Sequence, residues 1–155
     1  MNHFEDIEVN GTTYRVNLLD DNNEPPWENS DCHGVVSAWE RRSKHPGELV
    51  LCEDRGSSRF YDFKASMALA KRDGWGCKDS EGLTKGEVLA FAVQADYDFL
   101  RRWCAGDWRY VCVEVYPLTE DGDELKSKAD YMGGVEDSDR NYLHEVAMQM
   151  IGEME

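Results

Sequence analysis

Residues 5–18, EDIEVNGTTYRVNL, decide the first part of the fold because they predict a β-hairpin. Asn10-Gly11 is the strongest two-residue turn signal, since both central positions of that turn need positive φ. The residues that this loop sets opposite each other are Val9 and Thr12, Ile7 and Tyr14, and Glu5 and Val16. One face of the hairpin is then apolar and the other polar, which predicts a sheet with one buried face.

Two more segments predict strands. Residues 48–61 indicate a second hairpin that turns at Asp54-Arg55-Gly56-Ser57. Residues 109–116, RYVCVEVY, alternate three valines with polar and aromatic side chains, and Pro117 ends the pattern. This later strand would put Val111, Val113 and Val115 on one buried face.

Three helices follow from capping signals. Asp62 is a candidate N-cap for a helix over Phe63–Arg72. Thr84 and Glu87 form a capping box that starts a helix running to about Cys104. A last helix should start near Ser138 or Asp139. The order of hairpins and helices predicts an α+β fold, with an antiparallel sheet of about five strands (two hairpins plus a later strand) packed by about three helices.

The chain has 155 residues, which fits a single domain over 1–155. Residues 20–47 predict a long irregular loop inside it. Pro25-Pro26 disfavours helix there. Ser37 and Glu40 predict a short helix over Ala38–Ser43 within the loop. Two tryptophans in the loop, Trp27 and Trp39, indicate that parts of it pack onto other residues.

Charge is unevenly distributed along the chain. The 32 acidic and 17 basic residues give a formal charge of −15. Residues 1–31 hold 8 acids and 1 base, residues 32–109 hold 12 and 13, and residues 110–155 hold 12 and 3. This field disfavours direct binding of nucleic acid or an anionic membrane and favours attraction to a basic protein surface. Acidity that serves solubility alone is the alternative.

Cysteine usage and the start of the chain predict a reduced, cytoplasmic protein. Five scattered cysteines are an odd number, and MNHFEDIEVN lacks the basic and apolar regions of a secretory signal. No run of about 18 apolar residues predicts a membrane span. Cys32, His33, His45 and Cys52 lack the short ligand spacing of zinc sites. We therefore expect no metal and no cofactor.

Catalytic motifs are missing from the sequence. It contains no G-x-S-x-G, H-E-x-x-H or Walker pattern. Cys77 is more simply an inert thiol than a nucleophile, since catalysis also needs a positioned base. The sequence therefore favours a protein that is not an enzyme, without deciding the question. His33, Trp39, Arg41 and Arg42 remain candidates for a site in the 20–47 loop, because Trp and Arg are enriched at binding sites and loops carry function.

Several short patches carry a resemblance. They are Pro26-Trp27-Glu28, His33-Gly34, Ser37-x-Trp39, Pro46-Gly47-Glu48, Arg59-Phe60-Tyr61-Asp62-Phe63, Asp73-Gly74-Trp75-Gly76, Ala95-Asp96, Trp108-x-Tyr110-Val111, Gly133-Gly134-Val135-Glu136 and Tyr142-Leu143-x-Glu145-Val146-Ala147. Over about residues 25–151 the chain resembles a family of small acidic proteins encoded by tailed bacteriophages and prophages. In that family's pattern Gly stands at the position of Cys32, which weakens a metal role for this cysteine. The resemblance implies a phage context and carries no catalytic residue.

Three hypotheses follow. The first is a phage-type accessory protein that binds a basic, nucleic-acid-binding surface of a host protein, such as a defence component, by acidic mimicry of DNA. Its candidate residues are Asp121, Asp123, Glu124, Asp130, Glu136, Asp137 and Asp139. The second is a small enzyme or small-molecule-binding domain with its site under the 20–47 loop. The third is a homo-oligomeric structural protein in which Trp27 and Trp39 bury against another copy.

Overall fold

The computed structural model describes residues 2–21, 24–77 and 80–155. The chain forms two compact units. Unit 1 comprises residues 1–23 and 108–155, and unit 2 comprises residues 24–107. Each unit has its own hydrophobic core. The single domain expected over 1–155 stays a prediction.

The elements follow one another in an order that interleaves strands with helices. They are β1 (His3–Val9), β2 (Thr12–Asp20), α1 (Pro26–Asn29), β3 (Val35–Glu40), β4 (Glu48–Asp54), β5 (Ser57–Asp62), α2 (Phe63–Asp73), α3 (Lys85–Cys104), β6 (Tyr110–Pro117), a 3-10 turn (Lys126–Lys128), β7 (Asp130–Glu136) and α4 (Arg140–Met154). The α+β class with antiparallel sheets is confirmed. No helix among the described residues is both long enough and apolar enough to span a bilayer.

Unit 1 is a four-stranded antiparallel sheet in the order β1-β2-β6-β7, with α4 against one face. The predicted register of the first hairpin is confirmed, and Asn10 and Gly11 both have positive φ. The three valines of β6 are fully buried. The core of the unit consists of Ile7, Tyr14, Val16, Val111, Val113, Val115, Val135, Leu143, Val146, Ala147, Met150 and Ile151.

Unit 2 has a separate three-stranded antiparallel sheet in the order β3-β5-β4. The predicted second hairpin is its β4–β5 pair, which turns at Arg55 and Gly56 with positive φ at both. Helices α2 and α3 pack against this sheet. Its core consists of Leu51, Tyr61, Ala70, Val93, Tyr97 and Leu100.

The expectation of about five strands in one sheet is therefore wrong, since the described residues form seven strands in two sheets. Strand β7 escaped prediction because Gly133-Gly134 suggests a turn. Gly134 does have positive φ, at 69°, and the register of β7 shifts opposite β6 between Val111 and Val113. The glycine pair thus marks an irregularity inside a strand, which is a common use of glycine there.

The long irregular loop expected at 20–47 is also corrected, because α1 and β3 lie within it. Pro26 is tolerated as the first residue of α1, where a backbone N–H would have no partner within the helix. The helix expected over 38–43 is wrong. Val35 and Val36 favour a strand, β3 pairs with β5, and Arg41 turns the chain with φ 53°.

The three longer helices begin where the sequence predicts. Asp62 accepts a hydrogen bond from the Ala65 amide at the start of α2. Thr84 and Glu87 form the reciprocal capping box of α3. Asp139 caps α4 through the amide of Asn141. These side chains satisfy amides that a helix start leaves without an intrahelical partner.

Candidate functional site

Unit 1 collects the excess negative charge of the protein. Both ends of the chain belong to this unit: residues 1–23, with five of the eight acids of the first acidic segment, and the whole of the second acidic segment, residues 110–155. It contains 17 acidic and 5 basic residues, a formal charge of −12, whereas unit 2 contains 15 and 12, a charge of −3. The fold therefore joins the head and the tail of the chain into one strongly anionic body.

Three of the five bases of unit 1 are engaged with acids of the same unit. The ion pairs are Arg15 with Asp6 and Glu124, Lys126 with Glu124, and Arg109 with Asp20 and Asp137. Another base, Arg140, lies with its guanidinium carbon 4.6 Å from the centre of the Phe4 ring. These contacts leave many carboxylates of the unit without an opposite charge.

One end of unit 1 brings together acids from both terminal segments. Glu155 accepts hydrogen bonds from Asn10 and from the hydroxyl of Tyr14, both at 3.1 Å. The Leu118 amide donates to the carbonyl of Thr13 at 2.8 Å. The β1–β2 turn, the turn after β6 and the end of α4 therefore meet at this end. We name it the acidic end, and its carboxylates are Glu8, Glu120, Asp121, Asp123, Glu153 and Glu155.

Two of the seven acidic candidates lie at the acidic end. Asp121 and Asp123 are exposed in the turn that follows β6. Neither forms an ion pair with any side chain that the structure describes. Their charges are consequently available to a partner.

Each of the other five acidic candidates is engaged in a contact within the chain. Glu124 pairs with Arg15 and Lys126, and its pKa is lowered chiefly by the hydrogen bond from Lys126. The remaining contacts are Asp130 with the Tyr131 amide, Asp137 with the Arg109 amide, and Asp139 with the start of α4. Glu136, half-buried, ends β7 opposite Tyr110.

Unit 2 holds a different constellation, a buried polar network centred on Asp96 of α3. His33 Nδ1 lies 2.6 Å from Asp96 Oδ1, and each side chain is 9% exposed. The Gly34 amide and the Tyr61 hydroxyl both donate to Asp96 Oδ2 at 2.8 Å. The ring of His33 stacks on Phe99. One carboxylate therefore ties the segment before β3 to β5 and α3.

The network leaves no room for a larger residue at Gly34. A Cβ there would lie 2.5 Å from Ser66 Oγ and still closer to the hydroxyl of Tyr61. Ser66 in turn accepts a hydrogen bond from the Val35 amide at 2.9 Å. Burial, and then the charge of Asp96, raise the pKa of Tyr61 far above its usual value. Tyr61 is thus a neutral donor throughout the physiological range.

His33 has one nitrogen outside the network. Its Nε2 has no hydrogen-bond partner among the described residues, and it is not among their buried unpartnered atoms. Nδ1 is fixed by a carboxylate, as in the pairs that orient a histidine general base. No group of three metal-ligating side chains occurs in the described part of the chain.

Two of the basic and aromatic candidates of the 20–47 stretch, Trp39 and Arg42, contact each other. We name the pair of Arg42 and Glu48 the Arg42–Glu48 clamp. Arg42 makes two hydrogen bonds to Glu48, at 2.8 and 2.9 Å, and lies between the rings of Trp39 and Phe60. The hydrogen bonds from Arg42 lower the pKa of Glu48 to about 2. Arg41 occupies the turn after β3. Of the aromatic side chains considered for oligomerisation, Trp39 is 49% exposed.

Sequence reasoning missed Asp96, Tyr61 and Glu48. A signal for Asp96 was present, because the residue falls three positions after Val93 and four before Leu100, on the apolar row of α3. A charged residue on a core-facing row needs a partner. The partner, His33, is 63 positions away, and no local spacing connects the two.

Comparisons of the chain with protein-family models, with curated proteins and with solved structures return no significant match. The phage resemblance of the sequence patches therefore stays a prediction. What the geometry defines is an α+β protein with an anionic unit and a unit organised around buried polar contacts.

Proposed function

We propose that this protein is an interaction module whose acidic end binds a cationic, nucleic-acid-binding surface of another protein. One observation carries the proposal: residues 1–23 and 108–155, from the two ends of the chain, form one unit with a formal charge of −12. The phage resemblance suggests a bacterial host protein, such as a defence or transcription component, as the partner.

The physical basis is electrostatic mimicry. Carboxylates on an anionic body attract a groove that is built for phosphates, which speeds association and makes it sensitive to salt. Asp121 and Asp123 support this mechanism because they are exposed and unpaired among the described side chains. Glu124 and Asp137 contribute less, since their charges are compensated by Arg15, Lys126 and Arg109.

The test compares two variants with the same change of charge. The first carries Glu120→Gln, Asp121→Asn and Asp123→Asn at the acidic end. The control carries Glu40→Gln, Glu53→Gln and Glu81→Gln, all exposed positions of unit 2. Each immobilised protein is incubated with bacterial lysate at low and high salt, and the bound proteins are identified by mass spectrometry.

We expect the wild type and the control to retain DNA-binding proteins that added duplex DNA and high salt release. The variant of the acidic end should lose them, with slower association and a flatter salt dependence for any purified partner. Equal retention by both variants, or retention that duplex DNA does not compete, would contradict the mimicry.

A second candidate, a small enzyme or small-molecule-binding domain, has one observation in its favour. The Nδ1 atom of His33 is held by Asp96, as it would be in a histidine general base. No nucleophile of the described chain hydrogen-bonds to Nε2. A pH titration of His33 by NMR, with and without small-molecule pools, would detect a ligand as a shift of the imidazole signals.

A further inference from the structure

Two of the five cysteines share a cleft. Cys52 of β4 and Cys104 at the end of α3 line a cavity of about 670 Å³ in unit 2, together with Arg59 and Trp39. Both thiols are half-buried, and all five cysteines of the chain are unbonded. The thiols come from positions 52 residues apart, so their proximity is a product of the fold.

The local geometry explains how the two thiols meet. The register of β4 shifts between Val50 and Cys52, and Cys52 then lies opposite Arg59 of β5. The guanidinium carbon of Arg59 lies 5.3 Å from the centre of the Trp27 ring and 5.9 Å from that of Trp103. Arg59 thereby spans from the strand pair that carries Cys52 to the helix end that carries Cys104.

The surroundings of Cys104 disfavour its thiolate form. Burial raises the pKa of Cys104 to about 11, and the neighbouring Cys52 adds to the rise. Arg59 acts in the opposite direction on the same thiol. The raised pKa keeps Cys104 protonated at neutral pH and disfavours it as the sulfur that reacts first, since the thiolate is the nucleophile.

We propose that Cys52 and Cys104 form a redox-active dithiol that a hydroperoxide closes to an intramolecular disulfide between β4 and α3. The Cys52 thiolate attacks the O–O bond and becomes a sulfenic acid, and the departing hydroxide takes up the proton that the Cys52 thiol released and leaves as water. The Cys104 sulfur then attacks the sulfenic sulfur. The S–S bond forms as the S–OH bond breaks, and the hydroxyl leaves as water with the Cys104 proton. The two electrons lost by the thiols reduce one hydrogen peroxide to two waters.

Wild-type protein provides the test without any substitution. The protein is treated with hydrogen peroxide, its free thiols are alkylated, and it is digested with trypsin. Cys52 and Cys104 fall in separate tryptic peptides, 45–55 and 103–109, each with a single cysteine. We expect a linked 45–55/103–109 species that lacks two hydrogen atoms relative to the sum of the peptides and that dithiothreitol abolishes.

Matched cysteine variants then define the pair. Cys32→Ser should leave the linked species unchanged, because Cys32 lies outside the cleft. Cys52→Ser should abolish it and also abolish the rise in thermal midpoint that the closed disulfide gives the wild type. The proposal is overturned if Cys52 and Cys104 are still free thiols after peroxide treatment and so become alkylated. It is also overturned if they are oxidised only to sulfinic or sulfonic acid, or if either forms its disulfide preferentially with Cys32, Cys77 or Cys112.

Discussion

The two units of the molecule differ in the kinds of side chain that they bury. Unit 1 buries a mainly aliphatic core, with Trp108, Tyr110 and Tyr116 also buried, and keeps its charges outside that core. Unit 2 buries polar and charged groups, since Asp96, His33 and Glu48 are each 9% exposed at the side chain. Its interior is consequently specified by directional contacts as well as by packing.

This contrast separates two kinds of carboxylate. An acid whose oxygens are filled by donors inside the protein serves the fold, and its removal leaves those donors unsatisfied in a poorly hydrated site. An exposed acid such as Asp121 contributes little to folding and is available for recognition. The same residue type therefore has structural roles in the interior of unit 2 and the proposed binding role at the acidic end of unit 1.

The largest effect should follow from removing the central carboxylate of unit 2. Asp96→Ala leaves His33, Gly34 and Tyr61 without their common acceptor, and we expect a loss of about 3–5 kcal/mol in the free energy of unfolding. Asp98→Ala, two positions along α3 and exposed, is the control and should stay within about 0.5 kcal/mol. Denaturant unfolding measures both. A small loss for Asp96→Ala would show that packing alone holds unit 2.

The aliphatic core of unit 1 should respond to a change in volume. Met150→Ala removes a fully buried side chain and should cost about 2–5 kcal/mol. Met148→Ala, at a residue 39% exposed on the same helix, should cost far less. Hydrogen exchange can locate the loss, which we expect in the amides of β2, β6 and α4. Equal loss of protection in β4 and β5 would mean that the two units do not differ in how they unfold.

The parts of the fold that sequence could predict are those with local signals. The Asn10-Gly11 turn, the alternation of β6 and the capping box at Thr84 each act over a few residues, and all were confirmed. Strand β3 depends on pairing with β5, about 20 positions away, and its local capping pattern suggested a helix instead. Tertiary pairing overrode a weak local preference there.

The candidate site divides in the same way. The acidic segments could be read from composition, because charge is additive along a chain. Their convergence in one unit could not be predicted, because it depends on the pairing of β6 with β2. All of unit 2 lies between these two strands in the sequence. The Asp96 network could not be predicted for the same reason: His33, Tyr61 and Asp96 come from three separate elements.

The Arg42–Glu48 clamp should make unit 2 sensitive to acid. The pKa of Glu48 falls from its usual 4.5 to about 2 in the folded protein, chiefly through the hydrogen bonds from Arg42. A depressed carboxyl pKa stabilises the fold above the unfolded pKa, and that contribution is lost as the pH falls from about 5 toward 2. Glu48→Gln should therefore be less stable than wild type at neutral pH. The difference in stability between the two proteins should narrow as the pH falls over this interval.

The matched control for the clamp is Glu53→Gln in the same hairpin, at an exposed position without an ion pair among the described residues. Its stability should follow that of the wild type across the whole pH range. Unfolding midpoints measured by circular dichroism at several pH values give both comparisons. A gap between Glu48→Gln and wild type that is independent of pH would exclude ionisation of Glu48 as the source of the stabilisation.

The smallest effect concerns an acid of unit 1 that sequence assigned to binding. Asp139 accepts the Asn141 amide at 2.8 Å as the N-cap of α4. Asp139→Ala should therefore cost about 1 kcal/mol in unfolding free energy, whereas Asp139→Asn keeps a capping oxygen and should cost less. Asn also removes the charge, so the pair of variants separates capping from electrostatics. Asp139→Asn and Asp139→Ala could weaken partner binding equally while only Asp139→Ala lowers stability. That result would show that Asp139 serves recognition as well as the fold, so that one acid of unit 1 can have both a structural and a binding role.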